Sequence, residues 1–395
     1  SCALLYLSKM YLSDGYIVEF VKREGLSFLM CPKNRREFCN KLHQFIEDNG
    51  RYRKVVEKLI VDLEALFDNH IQTYEKLYKH LGATNISIPV QPLLVAVHLC
   101  QKYNIQQRDH VEGIIQKIVD YSSDGSCWFD FLSPFGHVRE LHLNSLYPFY
   151  VARRRRDGSY TNEWITTAHL EAMEYYLQFG QRVTSTEYAS LIGLQEAINF
   201  TDLPLKHRYF GYVTPLTLAC LAGHPKSVHL LLRYGASPLF PSGVQNLDTL
   251  RSPWIHPLHA LLNQLNMRVL DGEIDDLVYE HTSRLPLAQS ERSSYVTRLR
   301  QKKLLICLLY MLRALAHPPI VLAAQVDEFS RSSSRILPLK AIYAKWLEHP
   351  VNQAPKLQHL CRCNIRECLQ KRKQLPQGIQ KLPLPHRLQF YIDLA

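Results

Sequence analysis

The sequence has no long apolar run. The longest covers residues 304–312, whereas a helix needs roughly 20 apolar residues to cross a bilayer, so no membrane-spanning helix is expected. Cysteine is sparse, at positions 2, 31, 39, 100, 127, 220, 307, 361, 363 and 368 of 395, too few for a disulfide scaffold of this length. No Cys-x-x-Cys pair occurs. Neither Cys31, Cys39 and His43 nor Cys361, Cys363 and Cys368 have the spacing of a structural zinc site. The thiols read as small reduced hydrophobes, with no metal or other cofactor expected. Glycine-rich phosphate loops, His-Glu-x-x-His and Gly-x-Ser-x-Gly are also missing. Asp275-Asp276 reads as a solvated acidic pair. No catalytic residue is assigned, and the chain is expected to be non-catalytic. Residues 1–7 lack a basic leader and a small-residue cleavage site and are not read as a signal peptide. The start without Met reads as a fragment or a processed end. The expected location is the cytoplasm, with the nucleus as the alternative.

The composition, 46% hydrophobic and 21% charged, is that of a folded protein. The net charge is +11. Residues 354–395 hold eight Lys or Arg against Glu367 and Asp393, a net +6. The excess therefore describes one segment rather than a general nucleic-acid binder. A reading as a nucleic-acid or anionic-membrane binder, with steep salt dependence, ranks last, and neither nucleic acid nor membrane is expected as a partner.

The middle of the chain carries one clear repeat unit. It reads Thr214-Pro215-Leu216-Thr217-Leu218-Ala219-Cys220-Leu221-Ala222-Gly223-His224, then Val228, Leu231, Leu232, Gly235 and Ala236. Thr214 suits a helix N-cap and Pro215 its first turn. Ala219 permits close helix packing, Gly223 ends the helix, and Gly235 suits a left-handed C-terminal residue after a second helix. This segment resembles an ankyrin repeat through Thr214, Pro215, Leu216, Ala219, Gly223, His224 and Gly235. One repeat cannot bury its own faces, so neighbours are expected. Weaker echoes begin at Pro92, Pro148 and Pro257, without the steady period of about 33 residues. Generic amphipathic helices remain an equal reading for the first two. Residues 54–66 and 70–81 read as helical. Arg153 to Arg156 reads as a solvated loop, with a nuclear signal as the alternative, and residues 331–335 as a flexible basic loop. Residues 304–312 read as a buried helix.

The last segment is the most informative. Leu357, Leu360, Cys361, Ile365, Cys368 and Leu369 recur at helical spacing. Arg362, Arg366, Lys371, Arg372 and Lys373 lie largely off that stripe. The helix should stop before Pro376 and Gly378. Leu382-Pro383-Leu384-Pro385 should be extended, and a short helix from His386 should fold Leu388, Tyr391 and Ile392 back on the first. Three such elements bury little surface alone. A helix-in-groove partner anchored by Leu357 and Cys361 is therefore expected, with a helical hairpin closing the preceding domain as the alternative.

These residues resemble a SOCS box, and their order after the repeat resembles the ankyrin repeat and SOCS box family. The resemblance implies an all-α fold, a degenerate ankyrin-repeat solenoid followed by a three-helix SOCS box. The implied regions are an N-terminal helical region at 1–85, repeats at 86–350 and the box at 354–395. It further implies that Leu357, Leu360, Cys361 and Ile365 bind elongin C with elongin B. Leu382, Pro383, Leu384 and Pro385 would select cullin-5 with its RING protein, and the repeats would hold a protein substrate for ubiquitination. The competing expectation is an ankyrin-type scaffold that recruits no ligase.

Overall fold

The computed structural model describes residues 52–81, 90–121, 153–154, 160–161, 167–191, 197–203, 205–207, 211–238, 257–258, 260–262, 303–316 and 356–394. The chain divides into two compact units, Ser1–Trp128 and Phe129–Ala395.

In the first unit, α1 runs over Tyr52–Leu81 without a break. Residues 66–70 contain neither Gly nor Pro, so nothing separates the two helical stretches read from the sequence. Val56, Leu59, Ile60, Leu63, Leu66 and Phe67 form its buried stripe. The echo at Pro92 opens α2, Gln91–Lys102, with proline in the first turn. Asn104 ends it at φ 50. There the Ile105 N–H reaches the Cys100 carbonyl at 2.8 Å and the Asn104 N–H the Gln101 carbonyl at 3.2 Å, the Schellman pattern. Helix α3, Arg108–Tyr121, buries Val111, Ile114, Ile115, Ile118 and Val119. Lys117 and Asp68 tie it to α1 at 3.0 Å, and Tyr121 meets Phe67 edge-on at 5.4 Å.

The described part of the second unit is also mostly helical, punctuated by three short antiparallel strand pairs. Strand β1, Arg153–Arg154, pairs with β2, Tyr160–Thr161. The arginine run therefore begins in a strand rather than a loop. Helix α4, Thr167–Phe179, buries Met173, Tyr175, Tyr176, Leu177 and Phe179. After a turn of 3-10 helix come β3, Thr184–Ser185, then α5, Thr186–Leu191, and β4, Ile198–Asn199, which pairs with β3. Strands β5, Leu205–His207, and β6, Gly211–Val213, form a hairpin that leads directly into the repeat-like helices. The echo at Pro148 and the basic loop at 331–335 lie outside the described residues.

Helices α6, Pro215–Ala222, and α7, Pro225–Arg233, form an antiparallel pair whose ends are fixed as the sequence leads one to expect. The Thr217 N–H donates to Thr214 Oγ1 at 3.2 Å and the Thr214 N–H to Thr217 Oγ1 at 3.3 Å, a reciprocal capping box. Gly223 closes α6 at φ 62, a conformation a side chain would strain. His224 caps α7 through Nδ1, which accepts the Ser227 N–H at 3.2 Å. Leu216, Leu218, Ala219, Cys220, Val228, Leu231 and Leu232 are buried between and behind the pair.

Beyond it, Leu258, Ala260, Leu261 and Leu262 are buried in helical conformation. Residues 303–314 form α8. It is amphipathic rather than wholly buried: Leu304, Cys307, Leu308 and Met311 face the core, while Leu305 and Leu309 are exposed. His229 of α7 stacks on Tyr310 of α8 with ring centroids 4.7 Å apart. Three helices close the chain: α9, Leu357–Lys371, the single turn α10, Gln377–Gln380, and α11, His386–Ile392.

Candidate docking surface on the closing helices

Helix α9 starts at Leu357, with Lys356 at its N-cap, and is closed by Lys373 in the left-handed region, φ 56. The Gln374 N–H then returns to the Leu369 carbonyl at 2.9 Å, the Schellman closure without glycine. Leu369, Leu375, Ile379 and Ile392 form a small apolar core, with Ile365, Leu382 and Leu384 packed against it. In Leu382-Pro383-Leu384-Pro385 the two leucines are half-buried and the two prolines exposed. The loop is held from α11 by Gln389 Nε2, which donates to the Leu382 carbonyl at 3.0 Å.

At about 100° per residue, the side chains of α9 separate into two stripes. Leu357, Cys361, Asn364 and Cys368 lie on one side, all exposed, Leu357 to 76%. Leu360 and Ile365 are half-buried at its edges, and Leu369 turns inward. The apolar stripe read from the sequence is thus divided: its Leu357–Cys361 part faces out, and Leu369 enters the core.

The opposite stripe is His359, Arg362, Cys363, Arg366 and Gln370, and it is the side that faces the protein. Arg362 and Arg366 are 5% and 7% exposed. His359 Nε2 meets the Leu315 carbonyl at 2.6 Å, and Arg362 Nη2 meets His359 Nδ1 at 2.6 Å. The proton is then on Nε2. The Arg362 guanidinium lies 4.4 Å from the Tyr391 ring centroid, a cation–π contact. Cys363 lies against the Arg313 carbonyl at 3.9 Å, and burial pushes its thiol pKa up. Gln370 Nε2 donates to the Gly235 carbonyl at 2.6 Å. Gln181 Nε2 donates to Gln377 Oε1 at 2.8 Å and also to the Leu375 carbonyl, and Lys373 reaches Asn199. Nearby, fully buried Asp202 accepts the Ser237 N–H at 2.8 Å. Burial pushes its carboxyl up to about 7, moderated by that hydrogen bond and by Lys373.

Sequence reasoning passed over this inward side. His359, Arg362, Cys363, Arg366 and Gln370 recur at 3–4 spacing as regularly as the leucines do. Their charge conceals a stripe that packs. Among the described residues, no group of three His, Cys, Asp or Glu is placed to hold a metal ion. No described helix is long and apolar enough to cross a membrane.

This arrangement leaves a short apolar and thiol surface, one helical turn between Leu357 and Cys361, presented to solvent by a polar base. No curated protein and no solved structure matches the chain. The family model of the SOCS box matches residues 353–393, which hold all three closing helices and both sides of α9. The chain therefore carries a SOCS box at residues 353–393.

Proposed function

We propose that the chain is a substrate-recognition subunit of a cullin-RING ubiquitin ligase, in which the box recruits elongin C with elongin B. The observation that carries this reading is the outward face of α9. Leu357 and Cys361 are exposed one turn apart, the i, i+4 anchor spacing of a helix seated in a groove, inside the segment that matches the SOCS box. Leu360 and Ile365 flank them. Leu382-Pro383-Leu384-Pro385, with its prolines exposed, is the segment proposed to select cullin-5 with its RING protein. The α6–α7 pair, with the β5–β6 hairpin before it, supports the reading of residues 214–236 as an ankyrin-type repeat. The described part of residues 86–350 is the proposed holder of the protein substrate. In this reading the chain breaks and makes no bond. It raises the effective concentration of the target's lysines near a charged ubiquitin-conjugating enzyme.

The test is co-purification of full-length chain with elongins B and C. The wild type should retain the pair, and a Leu357→Ala, Cys361→Phe double variant should lose it. Retention by the double variant overturns the reading. Replacing the two exposed prolines, Pro383 and Pro385, should abolish cullin-5 capture by the elongin-bound chain, while Leu382 and Leu384 keep their packing on the box core and elongin binding stays intact. A chain that binds its target but never elongin is the ankyrin-type scaffold instead.

A further inference from the structure

The inward side of α9 has a role that elongin recruitment does not explain. Arg366 is 7% exposed. Its Nη1 donates to the Ile392 carbonyl at 3.0 Å, and its Nη2 to the Leu232 carbonyl at 2.5 Å, with the Arg233 carbonyl at 3.4 Å. One side chain of α9 thus bridges the last turn of α7 and the last turn of α11. Final turns are where a helix leaves carbonyl acceptors over and where its dipole favours a cation.

A second link runs parallel to it. Arg233 Nε donates to both Asp393 carboxylate oxygens, at 3.0 and 2.8 Å, and Arg233 Nη1 reaches Glu174 of α4 at 3.3 Å. The Arg313 guanidinium meets the Leu394 carbonyl at 3.5 Å.

A buried charge is not the cheapest way to attach two elements, since an apolar side chain of similar volume is often as stabilising. A planar guanidinium supplies direction. Its donors leave in a fixed fork, so carbonyls on two helices are satisfied together only at one relative placement of those helices. Burial lowers the Arg366 guanidinium pKa to about 10, which leaves it protonated at neutral pH.

We infer that Arg366 is a positioning residue, a latch that fixes the box to the end of α7, so that the box and the α6–α7 pair form one rigid body with the Leu357–Cys361 side held outward. The latch stands on the contacts above. Its consequence, a fixed direction from target holder to ligase, rests on the receptor reading.

Hydrogen exchange on the full chain tests it. Arg366→Met keeps an unbranched apolar stem of similar reach to arginine's own and removes the guanidinium donors. In this variant, peptides covering 231–236 and 389–394 should exchange about tenfold faster or more. Peptides covering 374–379, held by hydrogen bonds inside the box such as that of the Ile379 N–H to the Pro376 carbonyl, should keep their protection. Asp393→Asn should give a smaller rise in the same two regions. Unchanged exchange at 231–236 and 389–394 overturns the latch. So does a rise that spreads equally through 369–380, because the box itself is then unfolding.

With purified elongins B and C bound, the X-ray scattering distance distribution should be broader for Arg366→Met than for the wild type, at an elongin affinity within about threefold of wild type. An unbroadened distribution counts against the latch. If the wild type fails to bind elongins, the receptor reading falls and the exchange experiment still decides the latch.

Discussion

Leu357 and Arg366 stand on opposite sides of one helix, nine positions apart, and their surroundings are reversed from what their chemistry alone would assign. The leucine is 76% exposed and the arginine 7% exposed. At about 100° per residue, nine positions is half a revolution, so burying Arg366 obliges Leu357 to face away. Arg366 gives the helix an anchored side and thereby a free one.

Leu357→Ala should therefore separate folding from partner binding. Burying a leucine contributes about 1.5–3 kcal/mol, so elongin affinity should fall roughly tenfold or more. Because the side chain is exposed in the free chain, the unfolding free energy from urea titration should stay within about 0.5 kcal/mol of wild type. Titration calorimetry and urea unfolding together check this.

The capping box of α6 should be measurable by itself. Thr214→Ala removes the oxygen that accepts the Thr217 N–H and should cost about 1–2 kcal/mol, whereas Thr214→Ser should keep most of the stability. Urea unfolding of the full chain reads the difference.

Gly235 links the repeat-like pair to the box. Its φ is 92, and a Cβ there would lie 3.2 Å from Gln370 Cγ. Gly235→Ala should destabilise by about 1–2 kcal/mol from backbone strain alone. It should also loosen the Gln370 contact to the Gly235 carbonyl. Urea unfolding, with hydrogen exchange of the Gln370 region, checks both effects.

Two groups, the half-buried His224 and the buried Asp202, make stability depend on pH in opposite senses. Burial first, then Lys303 and Lys226, lowers His224 from 6.5 to about 4. Between these values the unfolded chain takes a proton that the native chain refuses. The His224 contribution is therefore full above pH 6.5 and is lost as pH falls toward 4. Asp202 is raised from 3.8 to about 7, so the native chain keeps a proton that the unfolded chain releases. Its contribution is full below pH 3.8 and is lost as pH rises toward 7. His224→Asn, which preserves a cap acceptor, should remove the first dependence, and Asp202→Asn the second. Unfolding free energies at about pH 5 and about pH 7 should change with opposite slopes in the two variants.

The described thiols should divide by burial. Cys361 and Cys368 are exposed, while Cys100, Cys220, Cys307 and Cys363 are buried. Burial pushes Cys100 and Cys307 up to about 12 and Cys220 well above its ordinary value, so little reactive thiolate exists at those sites. A short maleimide pulse on native protein, read by peptide mass spectrometry, should label Cys361 and Cys368 and spare the other four. Bound elongins should protect Cys361.

Much of this was legible in local sequence because the causes are local. Thr214, Pro215, Gly223 and Gly235 fix their own helix ends through a cap, a proline first turn and left-handed closures. Pro376 and the Leu382-Pro383-Leu384-Pro385 segment bound the closing helices in the same way. Periodicity also marked α1, α2 and α3. It left the two stretches of α1 apart, although residues 66–70 hold no breaker, and it read α8 as buried throughout, although Leu305 and Leu309 face outward.

By itself, the sequence determined the ends of α6 and α7, the breaks between the closing helices, and that α9 carries one apolar stripe. Only the tertiary structure decided which side of α9 turns inward. A periodic pattern states that two faces differ, but which one packs depends on what another part of the chain brings to meet it. Here the carbonyls of Leu232, Arg233 and Ile392, at helix ends distant in sequence from one another, meet the Arg366 guanidinium. Hydrogen bonds to those acceptors compensate the desolvation of a buried charge, and no spacing rule within residues 357–371 encodes where they lie.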